Sequence, residues 1–382
     1  MEKQKICIIG GSLTGLVTAI SLSKFNCDID LVTGNFNKNI QSSRTLAISE
    51  DNFDYLNSMN IFKKLERDVW SCSKMKLYTE EKKEKFCEIF ELNKENNGKK
   101  IFYILENYKM IKFLMKKIEK TKSIHIIKNK KVSKIYDSGS LKSIKFGNSI
   151  YKYNLVIICS GYKSTLIKNT FNDRIIQASY KEFAVTTILE HKPINNNTAR
   201  QIFLDNTIFA LLPINKNKTS IVWSVKNSMR DRADSFFKNK IRFYSSMYLK
   251  NIKFISDIER NDLNFLIRNK YYFDRTLLFG DALHLMHPYI GQSFNMTLRD
   301  LKSLKEILKR KINLGLDIGS SDVLLEFSRE AKPRNFSFSI GSDILKKSLQ
   351  FKKVRNDVIK ILNKSNFVKD IVFDIANRGL RF

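Results

Sequence analysis

Apolar positions along the chain switch between a period of two and a period of three to four, and the switches lay out the elements. Residues 5–9 read as a strand buried on both faces, residues 10–15 as a turn, and residues 16–25 as a helix rich in small side chains. Residues 29–32 form a second strand. A strand–turn–helix–strand opening is the nucleotide-binding unit. Residues 44–62 read as a loop and then a helix, and residues 74–91 as a strand pair broken by a charged turn at 80–84. Residues 107–120 put Met110, Ile111, Leu114, Met115 and Ile118 on one side of a helix. Short strands follow over 124–146 around a turn at 137–140, and an apolar strand at 154–161 ends in a glycine turn.

From 183 to 225 the pattern is β, as FAVTTIL, TIFALLPI and SIVWSV separated by Asn- and Lys-rich turns. Residues 232–249 are helical, and a strand ending at Phe279 brings the chain back to the nucleotide unit. Residues 298–382 are largely helical. The expected architecture is α/β: a Rossmann-like domain over 1–73, 100–179 and 270–320, interwoven with a mostly β-sheet domain over 74–99 and 180–269. A C-terminal helical segment covers 321–382.

The length of 382 residues allows a sizeable core. No apolar stretch reaches the ~18 residues of a membrane-spanning helix, and the polar start runs directly into a strand, so a cytoplasmic location is expected. Cys7, Cys27, Cys72, Cys87 and Cys159 are scattered singly, which excludes paired metal spacing and fits a reducing compartment. The formal charge of +30 has two readings. One is attraction to anionic lipid or an acidic partner; the other is a coding bias that enriches Lys, Asn and Ile throughout. No nucleic-acid motif accompanies the charge.

Two segments carry candidate cofactor chemistry. In GGSLTG (10–15), Gly10 allows the tight turn, Gly15 allows close helix–strand packing, and Ser12 stands where a glycine would let backbone approach a pyrophosphate. The acid expected after the second strand is missing, with Thr33 at its position. The second segment is GDALHLMHPYIGQSFNMTLRD (280–300). Here a strand delivers Gly280 and Asp281 to a pocket, and Gly291, Gln292 and Ser293 open a helix whose amides face the same place. Asp281 would accept from the sugar-alcohol chain of a flavin, and the helix mouth would face the ring edge that gains negative charge on reduction. His284 and His287 are three apart but lack a third metal ligand, so packing against cofactor, substrate or core is expected of them. Arg44 reads either as a partner for the cofactor or as a surface arginine. No nucleophilic triad is visible, so no catalytic side chain is expected and the chemistry would be carried by a cofactor.

The 280–300 block resembles the Gly-Asp-Ala-Ala-His…His-Pro…Gly-Gln-Gly…Asn…Arg-Asp signature of FAD-dependent aromatic monooxygenases with the p-hydroxybenzoate hydroxylase fold, in their ubiquinone-biosynthesis branch. RTLAIS (44–49), ILEN (104–107), FALLPI (209–214), SIVW (220–223) and the run from Phe327 to Asn335 resemble further segments of that family. The resemblance implies FAD, NAD(P)H as electron donor, and a flavin hydroperoxide that hydroxylates the ring of a polyprenylated phenol. It implies cofactor contact for Gly10, Ser12, Gly15, Arg44, Asn107, Gly280, Asp281, Pro288, Gly291, Gln292, Ser293 and Asn295. It also implies a tail that keeps the substrate in a membrane, with Val354, Val358, Ile361, Leu362, Phe367, Ile371, Val372 and Ile375 as an apolar stripe for that surface or for the protein's own core. Other quinone-biosynthesis proteins are the further partners it suggests. Ser12, Thr33, Ser160 and Ser293 depart from the family pattern. They motivate a rival reading, a non-catalytic subunit that keeps the fold with weakened FAD binding. A third reading is a prenyl-chain reductase or halogenase of the same fold.

Overall fold

The computed structural model describes residues 3–34, 42–62, 65–82, 85–171, 175–204, 207–287, 291–350 and 366–379. Its first layer is a six-stranded sheet in the order Tyr272–Phe273, Thr276–Leu278, Leu155–Ile158, Gln4–Ile9, Cys27–Val32, Ile124–Ile127. All of its pairings are parallel except the hairpin at the Tyr272–Phe273 edge. The strands Leu155–Ile158 and Thr276–Leu278 are buried throughout; the helix Leu13–Leu22, every residue of which is buried, packs on the sheet, and the strands Leu141–Phe146 and Ser149–Tyr153 contact it as well. Cys7 and Cys159 are buried in this core as free thiols.

The second layer is a nine-stranded sheet built mainly from antiparallel pairs. Its long strand Ile175–Glu190 pairs with Glu259–Arg268 on one side and Lys218–Lys226 on the other. This strand starts eight residues before the apolar run that marks it in sequence, because Ile175–Ser179 is exposed on its outer stretch and carries no apolar alternation. The register shifts between Ser179 and Glu182, and Lys181 takes φ +54° there, so a bulge bends the strand at this point. One face of the sheet packs on the helix Asp234–Ser246 through Phe183, Phe209, Trp223, Phe237 and Ile241.

A small three-stranded sheet joins the layers. Thr45–Ile48, read in sequence as loop, is a strand paired with Phe102–Glu106, which also pairs with Trp70–Cys72. Four residues are too few to display a period, and pairing rather than propensity makes the strand. The chain then forms the helices Ser293–Asn313, Ser321–Gln350 and Asn366–Arg378. Among the described residues, no helix is long and apolar enough to cross a membrane.

Candidate functional site

The nucleotide turn is shaped by contacts that only glycine permits. Gly10 has φ +134°, and a Cβ there would lie 2.8 Å from the Cys159 carbonyl carbon. A Cβ on Gly15 would lie 1.9 Å from the Gly10 oxygen, so the first helix rides directly on the turn. Gly280, at φ +62°, presses against the same turn, its missing Cβ 2.6 Å from Thr14 Cγ2. The three glycines therefore bring Asp281 up to the start of the nucleotide helix. Ser12 precedes that helix and donates from Oγ to the Cys159 carbonyl at 3.4 Å. Thr33 is fully buried with Oγ1 unpartnered. The nearby Asp30 does not replace the missing acid: it accepts a hydrogen bond from Tyr153 Oη at 2.6 Å.

At the other end, Asp281 lies in a single helical turn, Gly280–Ala282, and is exposed where it lines a cavity. Desolvation by the protein packed around it raises its pKa from the usual 3.8, against the opposing pull of His284 and Arg44. Arg44 and Asn107 are joined, since Asn107 N donates to the Arg44 carbonyl at 2.9 Å. Gly291, at φ +63°, turns the chain into the helix Ser293–Asn313, whose first-turn amides have no intrahelical acceptor.

Asn295 braces that turn from behind. Its Nδ2 donates to the carbonyls of Ala47 at 2.9 Å and Gly291 at 3.1 Å, while Oδ1 accepts from Ser49 N and Asn52 Nδ2, both at 3.0 Å. Gln292 Oε1 accepts from Arg299 at 2.7 Å. Burial and the like charge of Arg334 push the Arg299 guanidinium down to about 10. Its neighbour Asp300 is fully buried and accepts from His284 Nε2 at 3.0 Å, Arg334 Nη2 at 2.8 Å and Asn335 Nδ2 at 2.8 Å. Burial alone would raise its pKa, but those donors, with the charges of His284 and Arg334, hold it below 3.8.

These parts surround a cavity of about 680 Å³ between the two layers. Of the residues singled out in sequence, Ser12, Arg44, Asn107, Asp281, Gly291 and Ser293 line it. Gly10, Gly15, Gly280, Gln292 and Asn295 lie behind the wall and shape it. Pro288 lies outside the described residues, as do Val354, Val358, Ile361 and Leu362. The cavity wall also has apolar side chains, among them Met75, Leu77, Phe90, Leu92, Phe203 and Phe373. Phe373 and Asn377 come from the last helix, which docks through Asn377: its carbonyl accepts from Ser49 Oγ at 3.0 Å, and its Oδ1 from Asp51 N at 2.9 Å. Of the apolar stripe, Ile375 packs on a core cluster with Met286, Met296 and Phe338, whereas Ile371 is exposed. Phe373 and Glu182 were not singled out in sequence, because an apolar residue on an amphipathic helix and an acid in a strand carry no local signal.

His284 and His287 face different carboxylates. His284 meets Asp300, and His287 Nε2 lies 3.1 Å from Glu182 Oε2. No cluster of three or more His, Cys, Asp or Glu suited to a metal occurs among the described residues.

The residues fit a bound flavin dinucleotide on two structural counts. The turn between the first strand and helix reaches the cavity through Ser12, and Asn107 Oδ1 and Ser293 Oγ are buried polar atoms without partners, both from residues on the cavity wall. A parallel nucleotide sheet, a glycine turn, an acid delivered at a strand end and an antiparallel sheet across the cavity define a flavoprotein of the p-hydroxybenzoate hydroxylase fold. The chain belongs to the FAD binding domain family, whose model matches residues 3–335. It is similar to the mitochondrial ubiquinone biosynthesis monooxygenase COQ6 of Dictyostelium discoideum, at 23% identity over 97% of this chain and 90% of the relative. It is also similar to ubiquinone hydroxylase UbiL of Rhodospirillum rubrum, at 29% identity over 50% of this chain and 45% of the relative. Among solved structures, p-nitrophenol 4-monooxygenase PnpA of Pseudomonas putida superposes with a TM-score of 0.81 at 15% identity, covering 100% of both chains. The chain is an FAD-dependent monooxygenase.

Proposed function

We propose that this protein hydroxylates the aromatic ring of a polyprenylated phenol in ubiquinone biosynthesis, using FAD, dioxygen and electrons from NAD(P)H. The observation that carries the reading is the lining of the cavity, which joins Asp281 and the helix mouth to apolar side chains that include Phe203 and Phe373. Bound FAD supplies the redox chemistry and the activated oxygen. The chain's own residues do the rest. Asp281 holds the sugar-alcohol chain, while Arg44 and Asn107 approach from the joining sheet. The helix mouth at Gly291, Gln292 and Ser293 offers amide dipoles to the ring edge that gains charge. The apolar side chains of the wall take the isoprenoid tail and keep out water that would waste reduced cofactor. The relatives named for ubiquinone biosynthesis support this substrate class. The membrane surface enters as the place where such a tail is stored, and the +30 charge suits an anionic face of it.

The test is to incubate the FAD-loaded protein with a short-chain prenylphenol and NAD(P)H, and to weigh the product. A gain of one oxygen atom supports the reading, whereas a gain of two hydrogens or of a halogen replaces it. A second reading, a non-catalytic subunit, draws on Ser12, Thr33 and Ser160 at cofactor positions. Restoration of ring hydroxylation in hydroxylase-deficient cells excludes it.

A further inference from the structure

We infer that Glu259 is a positioning residue for the cofactor: from the antiparallel sheet it fixes the backbone that carries Arg44. The inference rests on the reading that Arg44 meets FAD. Arg44 is exposed where it lines the cavity, on a wall it shares with Asp281. Among the described residues its guanidinium makes no hydrogen bond and no ion pair. A long side chain without such anchors is placed by its backbone, and the backbone on either side of Arg44 is held firmly.

Ser42, Ser43 and Thr45 are tied to three adjacent strands of that sheet. Ser42 Oγ donates to Glu259 Oε2 at 3.0 Å, and Ser43 N donates to Glu259 Oε1. Arg44 N donates in turn to Ser42 Oγ at 3.2 Å, so the carboxylate reaches the Arg44 backbone through one hydroxyl. Glu259 stands opposite Thr186 in the sheet register, and Thr186 Oγ1 lies 2.7 Å from Ser43 Oγ. Thr45 Oγ1 donates to Ser220 Oγ at 3.1 Å. Ser43 and Thr45 thus grip the sheet on both sides of Arg44. The Arg44 carbonyl accepts from Asn107 N, and Asn107 Oδ1 is one of the buried atoms without a partner at the cavity wall. The clasp therefore places both residues.

The position calls for a carboxylate. Two donors converge on it, and a carboxylate accepts on both oxygens at once, in charge-assisted bonds stronger than neutral ones. Among the described residues Glu259 forms no ion pair, so these donors are what it serves. An amide of the same shape keeps one accepting oxygen and turns an NH2 group toward the other donor. The segment is then released at Ser42 or Ser43, and Arg44 must be ordered when the cofactor binds. That ordering lowers affinity without removing a single contact to the cofactor.

The test is a double-mutant cycle on cofactor affinity rather than on turnover. FAD-loaded protein is diluted and release of FAD is followed by recovery of flavin fluorescence, in the unsubstituted protein, Arg44→Gln, Glu259→Gln and the double variant. Glu259→Gln should weaken FAD binding about threefold to tenfold when Arg44 is present, and less than about twofold in the Arg44→Gln background. Visible circular dichroism of the bound FAD should change with Glu259→Gln only while Arg44 is present, a signature that general loosening of the fold does not give. An affinity that Glu259→Gln leaves unchanged, or lowers by the same factor in both backgrounds, overturns the assignment. If Arg44→Gln itself leaves FAD affinity unchanged, the reading of Arg44 fails first and the assignment with it. Should Glu259→Gln fail to fold, Ser42→Ala, which cuts the relay to Arg44 N, takes its place in the cycle on the same criteria.

Discussion

Asp281 is exposed where it lines the cavity, yet the protein packed around it desolvates the carboxyl, and its proton affinity follows from that position. Its folded-state pKa is raised, so the folded protein binds the proton more tightly than the unfolded chain does. Its contribution therefore favours the fold at low pH and is lost as pH climbs from the ordinary carboxylate range through the raised value. An Asp281→Asn substitution should leave the thermal midpoint of FAD-free protein at neutral pH equal or higher. The same change should weaken FAD binding by about tenfold to a hundredfold, as expected for loss of one hydrogen bond to a charged group. Differential scanning fluorimetry and flavin fluorescence quenching measure the two effects, and tighter or unchanged FAD binding would remove Asp281 from the site. Much at this scale was legible beforehand. Glycines next to a strand end and an acid after an apolar run also occur in ordinary turns, and it was their joint occurrence that singled out Gly10, Gly15, Gly280 and Asp281, which the structure brings together at one turn. Asn295 and Gln292 did not show that they brace the wall from behind, because only packed coordinates separate a residue that touches a ligand from one that shapes its pocket. Glu182 was invisible, since its partner His287 is 105 positions away in the chain.

The helix Ser293–Asn313 is held at its first turn by Asn295 and at its second by Asp300. Asp300 ties it to the long helix Ser321–Gln350 through Arg334 and Asn335, and to the Asp281 turn through His284. Because donors hold the folded carboxyl below its ordinary pKa, its stabilising contribution is present above the unfolded value and is lost as pH falls through the lowered one. An Asp300→Ala variant leaves His284 and Arg334 without their buried partner and should lose about 3–5 kcal/mol of stability, read by urea unfolding at neutral pH. Its stability should also fall less steeply on acidification than that of the unsubstituted protein. Equal acid profiles would show that Asp300 does not carry this contribution. Periodicity announced the helix itself, together with its apolar face. The clamp was not legible, since a charged residue in a helical run reads equally well as solvated.

Across the whole molecule, lysines and arginines exceed acids by 30, and the excess is spread over the length of the chain. The protein should therefore bind vesicles containing anionic lipid and release as salt rises, because the Debye length shrinks from about 8 Å at 0.15 M to about 3 Å at 1 M. Flotation with and without anionic lipid checks this, and equal binding to neutral vesicles would assign any attachment to apolar contact instead. The alternation of strand and helix patterns made the two-layer architecture readable. The return of the last helix to the cavity was not readable, because nothing local in the run from Asn366 to Arg378 says which surface its Phe373 will meet.

The two-residue strand His284–Leu285 belongs by chain order to the cofactor segment and by hydrogen bonding to the opposite sheet. A displacement of the Asp281 turn therefore moves residues that are hydrogen-bonded into the edge of the antiparallel sheet. Under the proposed function, this link should couple occupancy of the flavin and substrate compartments, and reciprocity makes any such coupling equal in both directions. FAD-loaded protein should then hold a short-chain prenylphenol more tightly than FAD-free protein does, and equal affinities would show that the shared strand transmits nothing.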